Sequence, residues 1–352
     1  MNSAVPSNRT ELRRAVAALV FITMLWGVSF PLVKMNNLLM RDNQRLALGS
    51  MYEKAAPFDL DLSAAALTMT MRFGLSFAVL MLFFPRHFGR LTVRQWLMGG
   101  AAGFVFAVGL LLQIFALNEI PASRSGFLTS LSVVFTPLML IAVTRRRPPL
   151  HVILAVAVAL FGVAILTETV RFDADSVLRL SDDFRETIGV GDVLTILAAA
   201  VFAVEIIMID TFSRRMPPGL LTPGMFAATV WTGAAVFGIH QATWAHAPSA
   251  ASWARLFTTP AFPLLSIAIC LICTLVPFHY MNKYQAKVTP TQAALIYTLE
   301  PVFTIAWAMF LPDMLSPLLG LTYASEALNW ALIGGGGLVI AANVLGFWPT
   351  PD

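Results

Sequence analysis

An all-α membrane protein of ten transmembrane helices, built as two inverted five-helix repeats, is the fold class the sequence predicts, on three grounds. Of 352 residues, 58% are hydrophobic and 12% charged, against about 45–50% and about 25% in soluble domains, so too little polar surface is left to face water. Apolar runs about 20 residues long recur along the chain, each sufficient to cross a hydrocarbon core about 30 Å thick as a helix. The later runs also echo the earlier ones. The net charge of +4 comes from cations scattered over short segments, with no basic face interleaved with aromatics, which sets nucleic acid aside as a partner.

The runs lie near residues 15–37, 63–85, 96–118, 124–143, 150–167, 190–210, 220–240, 261–281, 291–311 and 329–348. None alternates apolar with polar residues, so a strand barrel does not fit. The first follows Arg9, Arg13 and Arg14 and continues into LVKMNN without a small-residue cleavage motif, so it is read as a retained span and not as a signal peptide. With the N-terminus in the cytoplasm, the inner segments collect Arg86, Arg90, Arg94, Arg145, Arg146, Arg147, Arg214, Arg215, Lys283 and Lys287 besides the three N-terminal arginines, while the longer outer segments hold fewer cations. The positive-inside rule then predicts two cytoplasmic termini and outer loops at 39–62, 169–189 and 312–324.

Sliding RSGFLTSLSVVF (124–135) over QAALIYTLEPVF (292–303), a shift of 168, matches Leu131 with Leu299, Val134 with Val302 and Phe135 with Phe303. A shift of 176 lays LVFITMLWGVSF of the first run over TILAAAVFAVEI of the sixth. Five crossings per half invert the second half, giving repeats at 1–168 and 190–348. Secondary transporters use this architecture, with their site between the halves near the midplane.

Four ionisable side chains fall inside runs: Lys34, Arg72, Glu205 and Glu300. A charge at mid-span costs about 2.5–3.5 kcal/mol on insertion scales, so each needs a partner, water or a function. Lys34 is near enough to the outer end to snorkel. Arg72 is too deep for that, and either packing or substrate contact accounts for it. Glu205 and Glu300 have two readings: a structural pair, for example Glu300 with Arg72, or coupling to substrate and protons. Trp26, a broad aromatic platform, and Gln113, an uncharged donor and acceptor, are further cavity candidates, each open to a packing reading. Pro31, Pro137, Pro277 and Pro301 each remove an intrahelical hydrogen bond and favour kinks. Carbonyls freed at depth must be covered by protein or line a cavity.

GGAAG (99–103) and GGGG (334–337) let a neighbouring backbone come close, inside the monomer or across a homodimer. No H-E-x-x-H, G-x-S-x-G or P-loop is present, and His87, His151, His240, His246 and His279 are dispersed. Cys270 and Cys273 stand in mid-run without a second pair and read as small core residues. The expectation is a protein that is not an enzyme, with no metal or cofactor, whose partners are a small-molecule substrate and the lipid bilayer.

FITMLWGVSFPLVK, MRFGLSF, LLQIFALNEIPASRSGFLTSLSVVFTPL and PTQAALIYTLEPVF together resemble the EamA branch of the drug/metabolite transporter superfamily, over most of the ten runs and in their order. The resemblance implies a ten-helix inner-membrane permease, often an exporter, for small metabolites such as amino acids. Without an ATP motif, transport would be driven by a gradient or run downhill. Two features depart from the family pattern. The outer segments are longer than its usual connections, and Glu205 is not part of it, whereas LEPV at 299–302 is. A membrane-embedded sensor or assembly partner is the alternative, and would be expected to add a soluble domain.

Overall fold

The computed structural model describes residues 9–83, 85–89, 91–120, 122–145, 148–166, 169–172, 178–180, 189–325, 327 and 330–347. Each apolar run forms helix. The first half holds α1 (Arg9–Leu48), α2 (Pro57–Phe83), α3 (Val93–Glu119), α4 (Ala122–Thr129), α5 (Ser132–Thr144) and α6 (Leu150–Leu166). Two three-residue strands, β1 (Val170–Phe172) and β2 (Leu178–Leu180), pair antiparallel in the connection between the halves. The second half holds α7 (Val190–Ser213), α8 (Leu221–Thr243), α9 (Ala261–Cys270), a π turn (Leu271–Leu275), α10 (Val276–Gln285), α11 (Pro290–Tyr297), α12 (Glu300–Ala308), α13 (Leu311–Leu319) and α14 (Trp330–Gly346).

Seven of these helical stretches are long and apolar enough to cross a membrane, and an eighth joins them if Pro290–Ala308 and Leu311–Leu319, bent by 58°, are one span. The fifth and tenth runs are shorter apolar helices. Length is the reason: α6 has 17 residues, about 26 Å of helix, at the lower edge of what a bilayer core requires. The protein is a multi-pass membrane protein.

Two of the three expected loops are corrected. Residues 39–62 are mostly helix, because α1 runs on to Leu48 and α2 starts at Pro57. In this extension Met40, Asn43 and Gln44 are buried while Arg41, Asp42, Arg45 and Leu46 are exposed, a helical period that one-sided packing on α2 explains. Gln44 Nε2 donates to the Leu60 carbonyl at 2.9 Å and Arg41 pairs with Asp61 at 3.0 Å. Within 312–324 lies α13, ended by Gly320 in the left-handed conformation. The connection 169–189 carries the β ribbon, with residues 173–177 and 181–188 outside the described residues.

The kink expectation divides. Pro31 and Pro137 lie inside helices that run on through them. Pro277 follows the π turn, and Pro301 follows a two-residue break at Thr298 and Leu299. A similar break, at Ser130 and Leu131, separates α4 from α5.

Packing is closest where side chains are smallest. Gly99 and Gly103 face the backbone of α8: a Cβ on Gly99 would sit 2.7 Å from the Leu221 carbonyl oxygen, and one on Gly103 would collide with the Met225 backbone. Gly335 meets Leu166 and Gly162 of α6 in the same way, while Gly334 and Gly337 face open space. Both glycine runs therefore bring backbones together inside the monomer. The main helix contacts are α6 with α14, α2 with α8, α3 with α7 and α8, α1 with α10 and α12, and α7 with α4 and α5. At the centre Phe73, Phe106, Phe226 and Phe278 form edge-to-face pairs with ring centroids 5.0 to 5.9 Å apart, joining α2, α3, α8 and α10.

Candidate functional site

The break in the ninth run places the site. Thr289 caps α11 by a reciprocal box with Gln292, and Pro290 sits in the first turn, where no N–H is needed. Pro301 has no N–H to give the Tyr297 carbonyl four residues back. The helix therefore stops after Tyr297 and restarts at Glu300, while the Thr298 hydroxyl donates to the Leu295 carbonyl at 2.6 Å.

Tyr297 is the hub. Its hydroxyl donates to Gln285 Oε1 at 2.6 Å, and Gln285 Nε2 donates to the Ile206 carbonyl at 3.2 Å, next to Glu205. Trp26 of α1 lies edge-on to Tyr297 at 5.3 Å and tilted against Phe278 at 5.7 Å. Tyr297 is within electrostatic range of both Glu205 and Glu300. The structure thus gathers Glu205, Glu300 and Trp26 around one tyrosine.

Glu205 is only 5% exposed, and its Oε1 has no hydrogen-bond partner among the described residues. The buried Trp26 Nε1 also lacks one. Buried polar atoms without partners are rare, because each forfeits its hydration with nothing in exchange. Nine other buried side-chain atoms among the described residues share this condition, Asn36 Oδ1 and Thr304 Oγ1 among them, and Glu205 stands out from all of them because its group can carry a charge, which is the costliest thing to bury unpaired.

Arg72 is used differently. Pro277 cannot donate to the carbonyl of Cys273, its i−4 partner, and the π turn accommodates the gap. Arg72 Nη2 fills it, donating to the Cys273 carbonyl at 2.7 Å, while Nε donates to Thr274 Oγ1 at 2.6 Å. Arg72 and Glu300 sense each other electrostatically, but no ion pair within 4.0 Å joins them. The structural pairing of Glu300 with Arg72 is not made: the guanidinium clamps α2 to the eighth run instead. Arg72→Met is expected to lower stability by about 3 kcal/mol, the worth of two charge-assisted hydrogen bonds. In a Pro277→Ala background, where the new N–H can reclaim the Cys273 carbonyl, the same substitution should cost clearly less. Thermal unfolding of the four proteins in detergent checks this, and equal costs in both backgrounds would show that the carbonyl is not what Arg72 holds.

Gln113 stands apart from the glutamates. Its Nε2 donates to Thr129 Oγ1 at 3.1 Å, tying α3 to α4 at the edge of the first break. Lys34 is exposed and lies over the Tyr323 ring at 4.6 Å, in keeping with a snorkelling lysine. Cys270 and Cys273 are free and buried. Among the described residues no group of three His, Cys, Asp or Glu side chains comes together as a metal site would require. An open cavity of about 380 Å³ lined by Asp313, Ser316, Pro317 and Tyr323 lies beside α13, away from the glutamates.

Sequence reasoning missed Tyr297 and Gln285. Gln285 fell beyond the expected end of the eighth span at 281, and Tyr297 looked like one aromatic among many. The signal for the tyrosine was its place four residues before Pro301, where the helix must break.

Residues 59–168 match the EamA-like transporter family. An uncharacterized transporter of Archaeoglobus fulgidus is 25% identical over 308 residues, 85% of this chain and 79% of that protein. A solved structure, described only as the crystal structure of a protein, superposes with a TM-score of 0.56 over 95% of this chain and 98% of the other at 16% identity, which speaks for the fold alone. Over residues 59–168 this multi-pass membrane protein is thus similar to the EamA-like transporter family, which is part of the drug/metabolite transporter superfamily.

Proposed function

We propose that the chain is a gradient-driven secondary transporter, a permease of the inner membrane for small metabolites such as amino acids or related compounds, with Glu205 as its coupling carboxyl. It crosses the membrane ten times, as inverted repeats 1–168 and 190–348, with both termini cytoplasmic. The observation that carries this reading is the pair of broken helices. The breaks at 130–131 and 298–299 are 168 residues apart, the spacing of the sequence repeat. The halves cross reciprocally: α11 packs on α5, and α12 packs on α4.

Other contacts come in matching pairs. The first run on the ninth matches the sixth on the fourth, and the third on the sixth matches the eighth on the first. A two-fold relation between repeats produces this pattern, and broken helices at such a crossing are where secondary transporters hold their substrates and ions. A carboxyl with an unpartnered oxygen suits coupling, because it can be occupied by a proton in one state and released in another.

The functional test is uptake by purified protein in liposomes of a metabolite panel, with and without an imposed pH gradient. Failure of every solute to move faster than in empty liposomes would end the transport reading. For topology, Ser3→Cys and Ser176→Cys, both outside the described residues, are placed on a Cys-free background. A reagent that cannot cross the membrane is expected to label position 176 but not position 3 in intact cells, and the reverse pattern would remove the inverted orientation.

A further inference from the structure

We infer that α13 lies flat in the plane of the membrane, its exposed apolar face set among phospholipids at the boundary between headgroups and acyl chains. Two simpler courses were open to this segment: a loop in water, or a continuation of the ninth span through the hydrocarbon. Its residues fit neither.

α13 has two apolar faces. Leu311, Leu315 and Leu319 pack inward with Val28 and Leu32 of α1 and Leu265 of α9. On the opposite side Phe310, Met314 and Leu318 recur every four residues and are 50%, 58% and 79% exposed. In water this row would be an unpartnered hydrophobic ridge on a helix already held by its other face, which soluble surfaces avoid. The ridge needs an apolar neighbour.

Immersion in hydrocarbon fails for the opposite reason. Asp313 is exposed on the flank of the helix, and beyond Gly320 residues 321–325 are not helical, so their backbone groups lack the ladder that a lipid core demands. Local bonds cover some of them: the Leu321 N–H donates to the Ser316 carbonyl at 2.9 Å, the Ser316 hydroxyl to the Tyr323 carbonyl at 3.1 Å, and the Ser325 N–H to Asp313 Oδ1 at 3.1 Å. The rest must face water or headgroups. One edge of α13 is therefore wet while another is apolar.

A helix of this kind is stable where polarity changes, with its apolar face about 5–10 Å into the boundary between headgroups and acyl chains. Its surroundings agree. α13 leaves the ninth span at a bend of 58°, so Phe310 carries the membrane-embedded surface of that span onto the ridge. Beside it Lys34 lies over the Tyr323 ring at 4.6 Å, and Trp330, 85% exposed, opens α14 where the chain re-enters the membrane. Lysine, tyrosine and tryptophan are the residues that anchor at this level. Acyl chains then cover Met314 and Leu318, and headgroups lie over Asp313. Which leaflet this is follows from the orientation proposed above, but the depth depends on neither that orientation nor transport.

The test is nitroxide labelling of Met314→Cys, Leu318→Cys and Thr322→Cys, one at a time on the Cys-free background, in phosphatidylcholine nanodiscs. Should that background fail to fold, the burial of Cys270 and Cys273 leaves the wild-type background usable. Collision with oxygen, which concentrates among acyl chains, is compared with collision with a water-soluble nickel chelate. Labels at 314 and 318 are expected about 5–10 Å below the phosphates, and the label at 322 above them, in water. Both ridge positions are exposed, so either one decides the matter if the other variant does not fold. Nickel reaching a ridge label as freely as position 322 would place α13 in water and overturn the inference. Position 322 as deep as 318 would make α13 part of a spanning or re-entrant segment and overturn it too. Spin–spin broadening at 318 that disappears on dilution with unlabelled protein would give the ridge to a second copy instead of lipid.

Discussion

Glu205→Gln is expected to abolish accumulation of substrate against its gradient, by at least about tenfold relative to wild type, while leaving exchange of internal for external substrate intact. Glutamine keeps the shape of the side chain and its hydrogen-bonding capacity but cannot exchange a proton. Exchange needs no net proton movement, so only the coupled process should suffer. The protein should still fold, because among the described residues Glu205 holds no partner that the substitution would strand: its Oε1 is unbonded and no ion pair joins it. Glu300→Gln is likewise expected to leave yield and unfolding temperature nearly unchanged, since Arg72 is anchored on Cys273 and Thr274. Normal pH-driven accumulation by folded Glu205→Gln in liposomes would refute the coupling role.

The largest structural effect is expected at Gly103. Its Cα lies against the backbone of Met225 on α8, so even one added carbon meets main-chain atoms that have no rotamer through which to retreat. Gly103→Val should force α3 and α8 apart. Overpacking of a close-packed interior costs about 1–3 kcal/mol and sometimes more, and a contact with backbone belongs at the upper end. Gly100→Ala, on the same helix but facing open space, should be neutral or slightly stabilising, because alanine favours helix over glycine. Thermal unfolding in detergent distinguishes the two. A Gly103→Val protein as stable as Gly100→Ala would mean that the helices do not meet there. Since α8 also packs against α2, the damage should reach the Arg72 clamp and reduce transport as well.

The amino-acid sequence by itself determined the solvent and the segmentation. Run length and apolar content decide whether a segment is stable in lipid, and both are local properties. Hence every run from 15–37 to 329–348 appears as helix. That Glu205 needs a partner, water or a function was also legible, because an ionisable residue among TILAAAVFAVEI has nothing nearby in sequence to pair with. The glycine pair at 99 and 103 pointed to close helix packing for the same reason, since backbone approach depends on residue size.

What only the tertiary structure decided were partnerships across long sequence separations. Arg72 could equally have met Glu300, a ligand or a backbone carbonyl. The choice depended on Pro277 freeing Cys273, some 200 residues away, and on α2 passing that turn at the right depth. Tyr297 became a hub because the break before Pro301 turned it toward Trp26 and Gln285, which belong to other helices. The outer segment 39–62 read as loop for its polar residues, yet packing on α2 buried one stripe of it and kept it helical. In each case the local sequence set which groups had to be satisfied. Which partners satisfied them was a matter of how helices distant along the chain come to lie side by side, and no periodicity or composition encodes that.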